Sequence, residues 1–173
     1  MSDLKLFRIC DPQYAETPDQ MLSGEGAFRY GGRWNSPGSR VVYLAESLSL
    51  AAYELLVHVP DQVIAPYKRI QIEVPEKLIM TLDDSVLPDD WQEPGHPDLL
   101  AIGDDWIASE QSLGLSVPSA LIPGERNVML LRDHPDFDKV RAGEIEDFRY
   151  DARLTGVVKK RLSSIVDDDE ESN

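Results

Sequence analysis

Residues 30–58 read YGGRWNSPGSRVVYLAESLSLAAYELLVH, and this stretch decides the fold. The apolar run at 40–45 is typical of a buried strand, and Ser47 is a suitable N-cap for a helix over 48–58. Before the strand, a polar loop places Arg33 between paired glycines and Trp34. The stretch therefore predicts a loop, a strand and a helix in succession, with an arginine in a constrained position.

The rest of the chain predicts more strands than helices, and the two rarely alternate. Alternating or apolar runs predict strands at 4–9, 67–74, 78–82, 127–132 and 144–150, a short extended piece within 116–124, and a helix at 98–112. Residues 12–39 are expected to form a long connection. This pattern predicts a compact α+β domain over 1–154 with a mixed, mostly antiparallel sheet. Residues 155–173 form a C-terminal extension whose acidic end is expected to be disordered.

The composition excludes several functional classes. The 173 residues carry a formal charge of −15, which repels nucleic acid and anionic membranes. We therefore expect no direct nucleic-acid binding and no membrane association. The chain has a single cysteine and its N-terminus shows no signal peptide, which predicts a cytoplasmic protein without an internal disulfide.

Glu54 is the most unusual residue of the predicted helix. From Leu48 to Val57 only Ser49 and Glu54 are strongly polar, so the helix is predicted to be buried nearly all round. A buried carboxylate needs a cation or several hydrogen-bond donors. Glu54 is then either part of a structural ion pair, a glutamate at an exposed edge, or a catalytic carboxylate in a dry pocket.

Arg33 is the candidate cation for Glu54. Its neighbouring glycines would let a ligand approach the backbone, and its guanidinium suits a phosphate or carboxylate. The alternative is an arginine that ties down a turn. Arg8, inside the strand at 4–9, points either to solvent or to a pocket rim. Tyr43 is either a core residue or a platform for a flat ring.

A second polar group lies in the segment LSVPSALIPGERN, residues 115–127. It contains Ser116, Ser119, Glu125 and Asn127. No His–Asp pair is visible that would activate a serine as a nucleophile. The three histidines of the chain match no metal-ligand spacing, so no metal site is predicted.

Four pieces of the sequence together resemble the RES-domain family of toxins from bacterial toxin–antitoxin pairs. They are FRI at 7–9, GGRWN at 31–35, VVYLAESLSLAAYELLVH at 41–58 and VPSALIPGERNVML at 117–130, in the family's order. The resemblance implies a fold like that of ADP-ribosyltransferase toxins. It implies an enzyme that cleaves the nicotinamide–ribose bond of NAD+ as a glycohydrolase or a phosphorylase, depleting NAD and arresting growth. A minority of relatives instead transfer ADP-ribose to a protein.

The resemblance also assigns site residues. It implies that Arg33, Tyr43, Glu54 and Ser119 are catalytic. Arg8 and Asn127, together with Arg33 and Tyr43, would contact the substrate. Ser116 lies close enough to Ser119 that the serine assignment stays open between them.

The resemblance further implies reactants and partners. NAD+ is expected as substrate, water or inorganic phosphate as acceptor, and no cofactor beyond these. The expected partner is a helix-turn-helix, Xre-like antitoxin, and a homodimer within a toxin–antitoxin complex is compatible with the family. A non-catalytic acidic interaction module is the alternative from another functional class.

Overall fold

A single seven-stranded sheet organises the computed structural model, which describes residues 2–58 and 65–154. The strands are β1 (Asp3–Cys10), β2 (Val41–Ala45), β3 (Tyr67–Pro75), β4 (Ile79–Thr81), β5 (Gly114–Pro118), β6 (Arg126–Leu131) and β7 (Arg141–Phe148). Their order across the sheet is β4-β5-β6-β2-β1-β3-β7. The β4–β5 pair is parallel and the other pairs are antiparallel. The predicted α+β class with a mixed, mostly antiparallel sheet is confirmed.

Besides helical residues at 152–154, four helices accompany the sheet in the described residues. They are α1 (Pro18–Met21), α2 (Glu25–Tyr30), α3 (Leu48–His58) and α4 (Pro97–Ser109), with short 3-10 segments at Pro12–Tyr14, Glu76–Leu78, Asp84–Val86 and Pro135–Lys139. The predicted helix at 48–58 is confirmed, and the one at 98–112 ends earlier, at Ser109.

The connection at 12–39 is more ordered than the sequence predicts. It holds a 3-10 turn and the helices α1 and α2, and α1 is capped by Thr17, whose side chain accepts a hydrogen bond from the Gln20 N–H. Helices of four and six residues are too short to show a hydrophobic period, so local capping is their only sequence signal.

The core lies on both faces of the sheet. One face packs against the segment around α1 and buries Leu6, Ala15, Met21, Leu22, Val42, Leu44, Ile70, Ile72, Val74, Leu113, Val128 and Leu130. The opposite face carries two separate clusters. The first packs α4 and Trp34 on β2, β5 and β6, and the second packs α3 on β1 and β3. The border between these two clusters is where the candidate site lies.

The prediction that α3 is buried nearly all round is wrong. Leu50 and Ala51 are buried, but Tyr53 is 54% exposed and Val57 is 55% exposed. The physical reason is that α3 packs on one face of the sheet, and its outer side meets solvent even though its residues are apolar.

Strands β1 and β2 are joined weakly at the centre of the sheet. Their register contains the single pair Phe7↔Ala45, whereas β1 and β3 pair along the whole of β1. The sheet therefore consists of two well-paired parts, β4-β5-β6-β2 and β1-β3-β7.

The remaining sequence predictions fall partly outside the described residues. The acidic extension at 155–173 lies outside them. Within 2–58 and 65–154, no helix combines the length and apolar character that crossing a membrane requires.

Candidate functional site

Glu54 is held by two side chains from the other side of the cluster border. Asn127 Nδ2, at the start of β6, donates to Glu54 Oε1 over 2.6 Å, and the Ser119 hydroxyl donates to the same oxygen over 3.3 Å. Among residues 2–58 and 65–154, Glu54 Oε2 makes no hydrogen bond. One carboxylate oxygen is thus fixed by the protein, and the other is free to face a ligand.

Of the two candidate serines, Ser119 is the one that contacts Glu54. It is 5% exposed, and its hydroxyl accepts hydrogen bonds from the backbone N–H groups of Leu121 and Ile122, each over 3.1 Å. These two bonds use the lone pairs of the oxygen, so its hydrogen is directed to Glu54. This arrangement orients the Ser119 hydroxyl as a hydrogen-bond donor to the Glu54 carboxylate.

Ser116 has a structural role. Its hydroxyl accepts a hydrogen bond from Arg126 Nε over 2.9 Å, and its carbonyl accepts one from Arg126 Nη2 over 3.1 Å. The same guanidinium binds both carboxylate oxygens of Asp84 over 3.0 Å. Arg126 thereby fastens the ends of β5 and β6 together, and Ser116 is turned away from Glu54.

Tyr43, within β2, lies on the face of the sheet that packs against α4 and Trp34. Its hydroxyl donates to Asn35 Oδ1 over 2.7 Å and accepts from the Trp34 N–H over 3.2 Å. Burial raises the pKa of the Tyr43 hydroxyl above its usual range, while the Trp34 N–H lowers it by a smaller amount, so the group stays a neutral donor. The Tyr43 hydroxyl fixes the GGRW loop, and its ring is the part that remains for contact with a ligand.

Arg33 is bound to a different element from the one the sequence predicts. Its Nη1 donates to the carbonyl oxygens of Trp91, Gln92 and Glu93 over 3.4, 3.1 and 3.3 Å. It forms no ion pair with Glu54, so the prediction that Arg33 is the partner of Glu54 is wrong. The donors Asn127 and Ser119 bind Glu54 Oε1 instead, because a partly buried carboxylate oxygen needs hydrogen bonds and not necessarily a full opposite charge. The other two guanidinium nitrogens of Arg33 bond to no described residue.

The two glycines before Arg33 serve the packing of the loop. Gly31 has φ +72°, which favours glycine, and a Cβ on Gly32 would lie 2.6 Å from the Tyr43 hydroxyl oxygen. The sequence predicts that these glycines leave space for a ligand. At Gly32 that space is filled by the Tyr43 side chain instead. Trp34, 3% exposed, anchors the loop in the core.

Arg8 does not reach the group around Glu54 in this structure. Its Nη1 donates to the Tyr43 carbonyl oxygen over 2.9 Å, and its Nε donates to Cys10 Sγ over 3.2 Å. The bond to Tyr43 crosses the gap where β1 and β2 cease to pair, so it supplies a donor that the missing strand partner would otherwise provide. Arg8 thus shares Tyr43 with the site through the backbone of β2.

A pocket of about 310 Å³ adjoins this group. It is lined by Asp84, Leu87, Pro88, Asp89, Trp91, Gln92 and Pro118. Its lining includes Trp91 and Gln92, whose carbonyl oxygens bind Arg33, and Pro118, which directly precedes Ser119. Two carboxylates line this pocket, and Asp84 is paired with Arg126 whereas Asp89 is exposed.

The structure gives two residues roles that the sequence did not predict. Asn35 is 1% exposed and links Tyr43 to the loop, and Glu125 links the Ser119 turn to α3. Asn35 directly follows GGRW, which is a signal that was available in the sequence. Glu125 lies in the polar segment at 115–127, but no sequence pattern indicated its bond to Ser47, which is 78 residues away. Within the described residues, no three His, Cys, Asp or Glu side chains converge on a metal position.

Comparisons with known proteins identify relatives over most of the chain. The sequence model of the RES domain matches residues 5–151. A protein named Toxin Res from Photorhabdus laumondii subsp. laumondii is 40% identical over 157 residues, covering 89% of this chain and 99% of the relative. A protein named Prs ADP-ribosylating toxin from Sphingobium sp. is 34% identical over 139 residues, covering 77% of this chain and 86% of the relative.

A solved structure has the same fold. A chain of the M. tuberculosis MbcT–MbcA toxin–antitoxin complex superposes with a TM-score of 0.65 at 20% identity, covering 91% of this chain and 88% of that chain. At this level of identity the likeness establishes the fold. It agrees with the predicted resemblance to a toxin fold of the α+β class.

Proposed function

Because the chain belongs to the RES domain family, we propose that it is the toxin of a toxin–antitoxin pair and degrades NAD+ by cleaving the nicotinamide–ribose bond. The enzyme is then an NAD+ glycohydrolase or an NAD+ phosphorylase. The observation that carries this proposal is the Glu54 carboxylate, bound through Oε1 to Asn127 and Ser119 and unbonded at Oε2 within the described residues.

The carboxylate suits this reaction. When the bond between nicotinamide and ribose breaks, positive charge develops on the ribose, as in glycoside cleavage. A fixed carboxylate at that position stabilises the developing cation without having to reorganise during the reaction. The free oxygen would face the ribose, and the bound oxygen would keep its geometry.

The guanidinium of Arg33 would bind the diphosphate of NAD+. Its Nη1 is bonded to the carbonyls of residues 91–93, which sets the orientation of the whole planar group. The remaining nitrogens would donate to phosphate oxygens in the forked geometry that arginine favours. The Tyr43 ring would pack against the ribose or the nicotinamide, and Asn127 would orient Glu54.

The leaving group needs no proton from the protein. Nicotinamide leaves NAD+ as a neutral molecule, taking the bonding electron pair and losing the positive charge of its ring. The ribose carbon then accepts an oxygen of water or of inorganic phosphate. Water gives ADP-ribose and a proton, and phosphate gives a phosphorylated ADP-ribose.

Two isosteric variants test the proposal. Glu54→Gln keeps the hydrogen-bond acceptor for Asn127 and Ser119 but removes the charge, so nicotinamide release is expected to fall by about 100-fold or more. Glu46→Gln is the matched control, because Glu46 lies outside this hydrogen-bond group on the exposed turn before α3. Equal nicotinamide release by wild type, Glu54→Gln and Glu46→Gln would refute the assignment.

Transfer of ADP-ribose to a protein is the second candidate. A relative named as an ADP-ribosylating toxin, 34% identical to this chain, favours it. NAD+ labelled in its adenosine part distinguishes the two reactions. The proposed reaction leaves the label in small molecules, and the second candidate transfers it to protein.

A protein antitoxin is the proposed partner. The fold is shared with a chain of a toxin–antitoxin complex, which supports a protein antitoxin as partner. We propose a helix-turn-helix, Xre-like antitoxin, because a toxin of charge −15 leaves any DNA contact to its partner. Since NAD+ and such a partner would be met in the cytoplasm, we place the toxin there.

A further inference from the structure

Glu54 is supported by three elements that are distant in sequence. Helix α3 carries Glu54, the turn after β5 carries Ser119, and the start of β6 carries Asn127. Precise placement of a catalytic group requires that the elements around it be tied to one another. In this chain, all three are connected to Glu125.

The side chain of Glu125 is bonded to the beginning of α3. Glu125 Oε2 accepts a hydrogen bond from the Ser47 hydroxyl over 3.0 Å. The same hydroxyl accepts the Leu50 N–H over 3.0 Å, and the Ser47 carbonyl accepts the Ala51 N–H over 3.1 Å. Ser47 is thus the N-cap of α3 and is itself oriented by Glu125.

The backbone of Glu125 is bonded to the turn that presents Ser119. Its carbonyl oxygen accepts the Ser119 N–H over 2.9 Å, and its N–H donates to the Ile122 carbonyl over 3.2 Å. Asn127 follows two positions later on β6. The turn and β6 are therefore continuous with Glu125 itself, and only α3 depends on its side chain.

The neighbouring arginine has other partners. Arg126 donates through Nη1 to Asp84, through Nε to Ser116 and through Nη2 to the carbonyls of Leu82 and Ser116. It forms no ion pair with Glu125. The bond to Ser47 is the contact by which the Glu125 carboxylate acts.

We infer that Glu125 is a positioning residue for Glu54: its carboxylate joins the N-cap of α3 to the Ser119 turn and sets where Glu54 meets Asn127 and Ser119. The expected effect of Glu125 on kcat rests on the proposed function. Its expected effect on the position of Glu54 rests on the hydrogen bonds alone. Glu125 acts through Glu54 and is not itself required to touch NAD+.

The kinetic test compares Glu125→Ala, Glu125→Gln and a matched control. Glu125→Ala removes the acceptor for Ser47, and kcat for nicotinamide release is expected to fall about tenfold with KM changed less than about twofold, because misplacing a catalytic group affects the reaction more than binding. Glu125→Gln keeps an acceptor oxygen and should restore kcat to within about twofold of wild type. Glu76→Ala removes another glutamate–serine bond, the 2.6 Å bond from Ser2, and should leave kcat unchanged.

A second variant, Ser47→Asp, tests the same bond if Glu125→Ala does not fold. Ser47→Asp keeps an N-cap oxygen for the Leu50 N–H but has no hydrogen to donate to Glu125. It is expected to lower kcat about tenfold, as Glu125→Ala does. Wild-type kcat in Ser47→Asp, or no recovery in Glu125→Gln, overturns the inference.

A crystal structure of Glu125→Ala, or of Ser47→Asp in its place, separates this inference from the proposed function. The 2.6 Å distance between Glu54 Oε1 and Asn127 Nδ2 is expected to exceed hydrogen-bond range in the variant. An unchanged distance overturns the inference whatever the kinetics. If wild type does not cleave NAD+, the proposed function fails, and this distance still decides the role of Glu125.

Discussion

Glu54 and Arg33 are charged residues of the candidate site, and the protein holds them in different ways. Glu54 is bonded by the side chains of Asn127, at the start of β6, and Ser119, directly after β5. Arg33 is bonded by the backbone carbonyls of residues 91–93, in a loop. The carboxylate therefore depends on the identity of two side chains, whereas the arginine depends on the path of a backbone. Substitutions can separate these two dependencies.

The largest expected effect concerns the packing of the loop that carries Arg33 and Trp34 against α4. A Cβ on Gly103 in α4 would lie 1.6 Å from the Trp34 carbonyl oxygen, so Gly103→Ala must push the loop away from the helix. We expect a loss of about 3 kcal/mol in the free energy of unfolding, measured by urea denaturation. Gly26→Ala in α2 is the control, since a Cβ there meets nothing within 4 Å. If Gly103→Ala unfolds at the same urea concentration as Gly26→Ala, the described packing of Trp34 against Gly103 is wrong.

The next effect concerns the hydrogen bonds that hold the Glu54 carboxylate. Asn127→Ala leaves Glu54 Oε1 with the longer bond from Ser119, at 3.3 Å. We expect kcat for nicotinamide release to fall about 30-fold, since a hydrogen bond to a charged group contributes roughly 2 kcal/mol. Gln92→Ala is the contrasting variant, because the Gln92 backbone oxygen and not its side chain contacts Arg33. Similar losses in the two variants would contradict the distinction between side-chain and backbone support.

A smaller effect is expected at the Tyr43 hydroxyl, which forms hydrogen bonds with the loop that carries Arg33. Tyr43→Phe leaves the buried Asn35 Oδ1 without its 2.7 Å donor and the Trp34 N–H without its acceptor. We expect a loss of about 1.5 kcal/mol in the free energy of unfolding. The ring survives, so kcat should change less than about threefold. A large kcat loss without a stability loss would instead give the hydroxyl a catalytic role.

The smallest effect is expected at Arg33 itself. Arg33→Lys keeps a positive charge but loses the planar fork that can bond residues 91–93 and a phosphate at once. We expect KM for NAD+ to rise about fivefold with little change in kcat, because diphosphate binding is the role assigned to this group. Unchanged KM would remove Arg33 from the substrate-binding group.

The sequence predicted the elements better than the contacts between them. The strand at 40–45, the helix after it and the sheet class follow from local pattern, and each of these is confirmed. The burial of α3 was mispredicted, because apolar composition does not reveal how much of a helix a sheet covers. Tyr53 and Val57 are exposed on its outer side.

The site was predictable where residue type dictates a partner. Glu54 needed donors, and the prediction that it would find a cation or several donors is met by Asn127 and Ser119. Which serine supplies a donor was not predictable, because the choice depends on Arg126 turning back onto Ser116. The same holds for Arg33, whose partners are backbone carbonyls that any sequence possesses.

The most direct measurement of the central claim is a product analysis of NAD+ incubated with the purified protein, by mass spectrometry, with and without inorganic phosphate. The account predicts nicotinamide in equal amount to ADP-ribose without phosphate, or to a phosphorylated ADP-ribose when phosphate is present. Intact NAD+ under both conditions would contradict it.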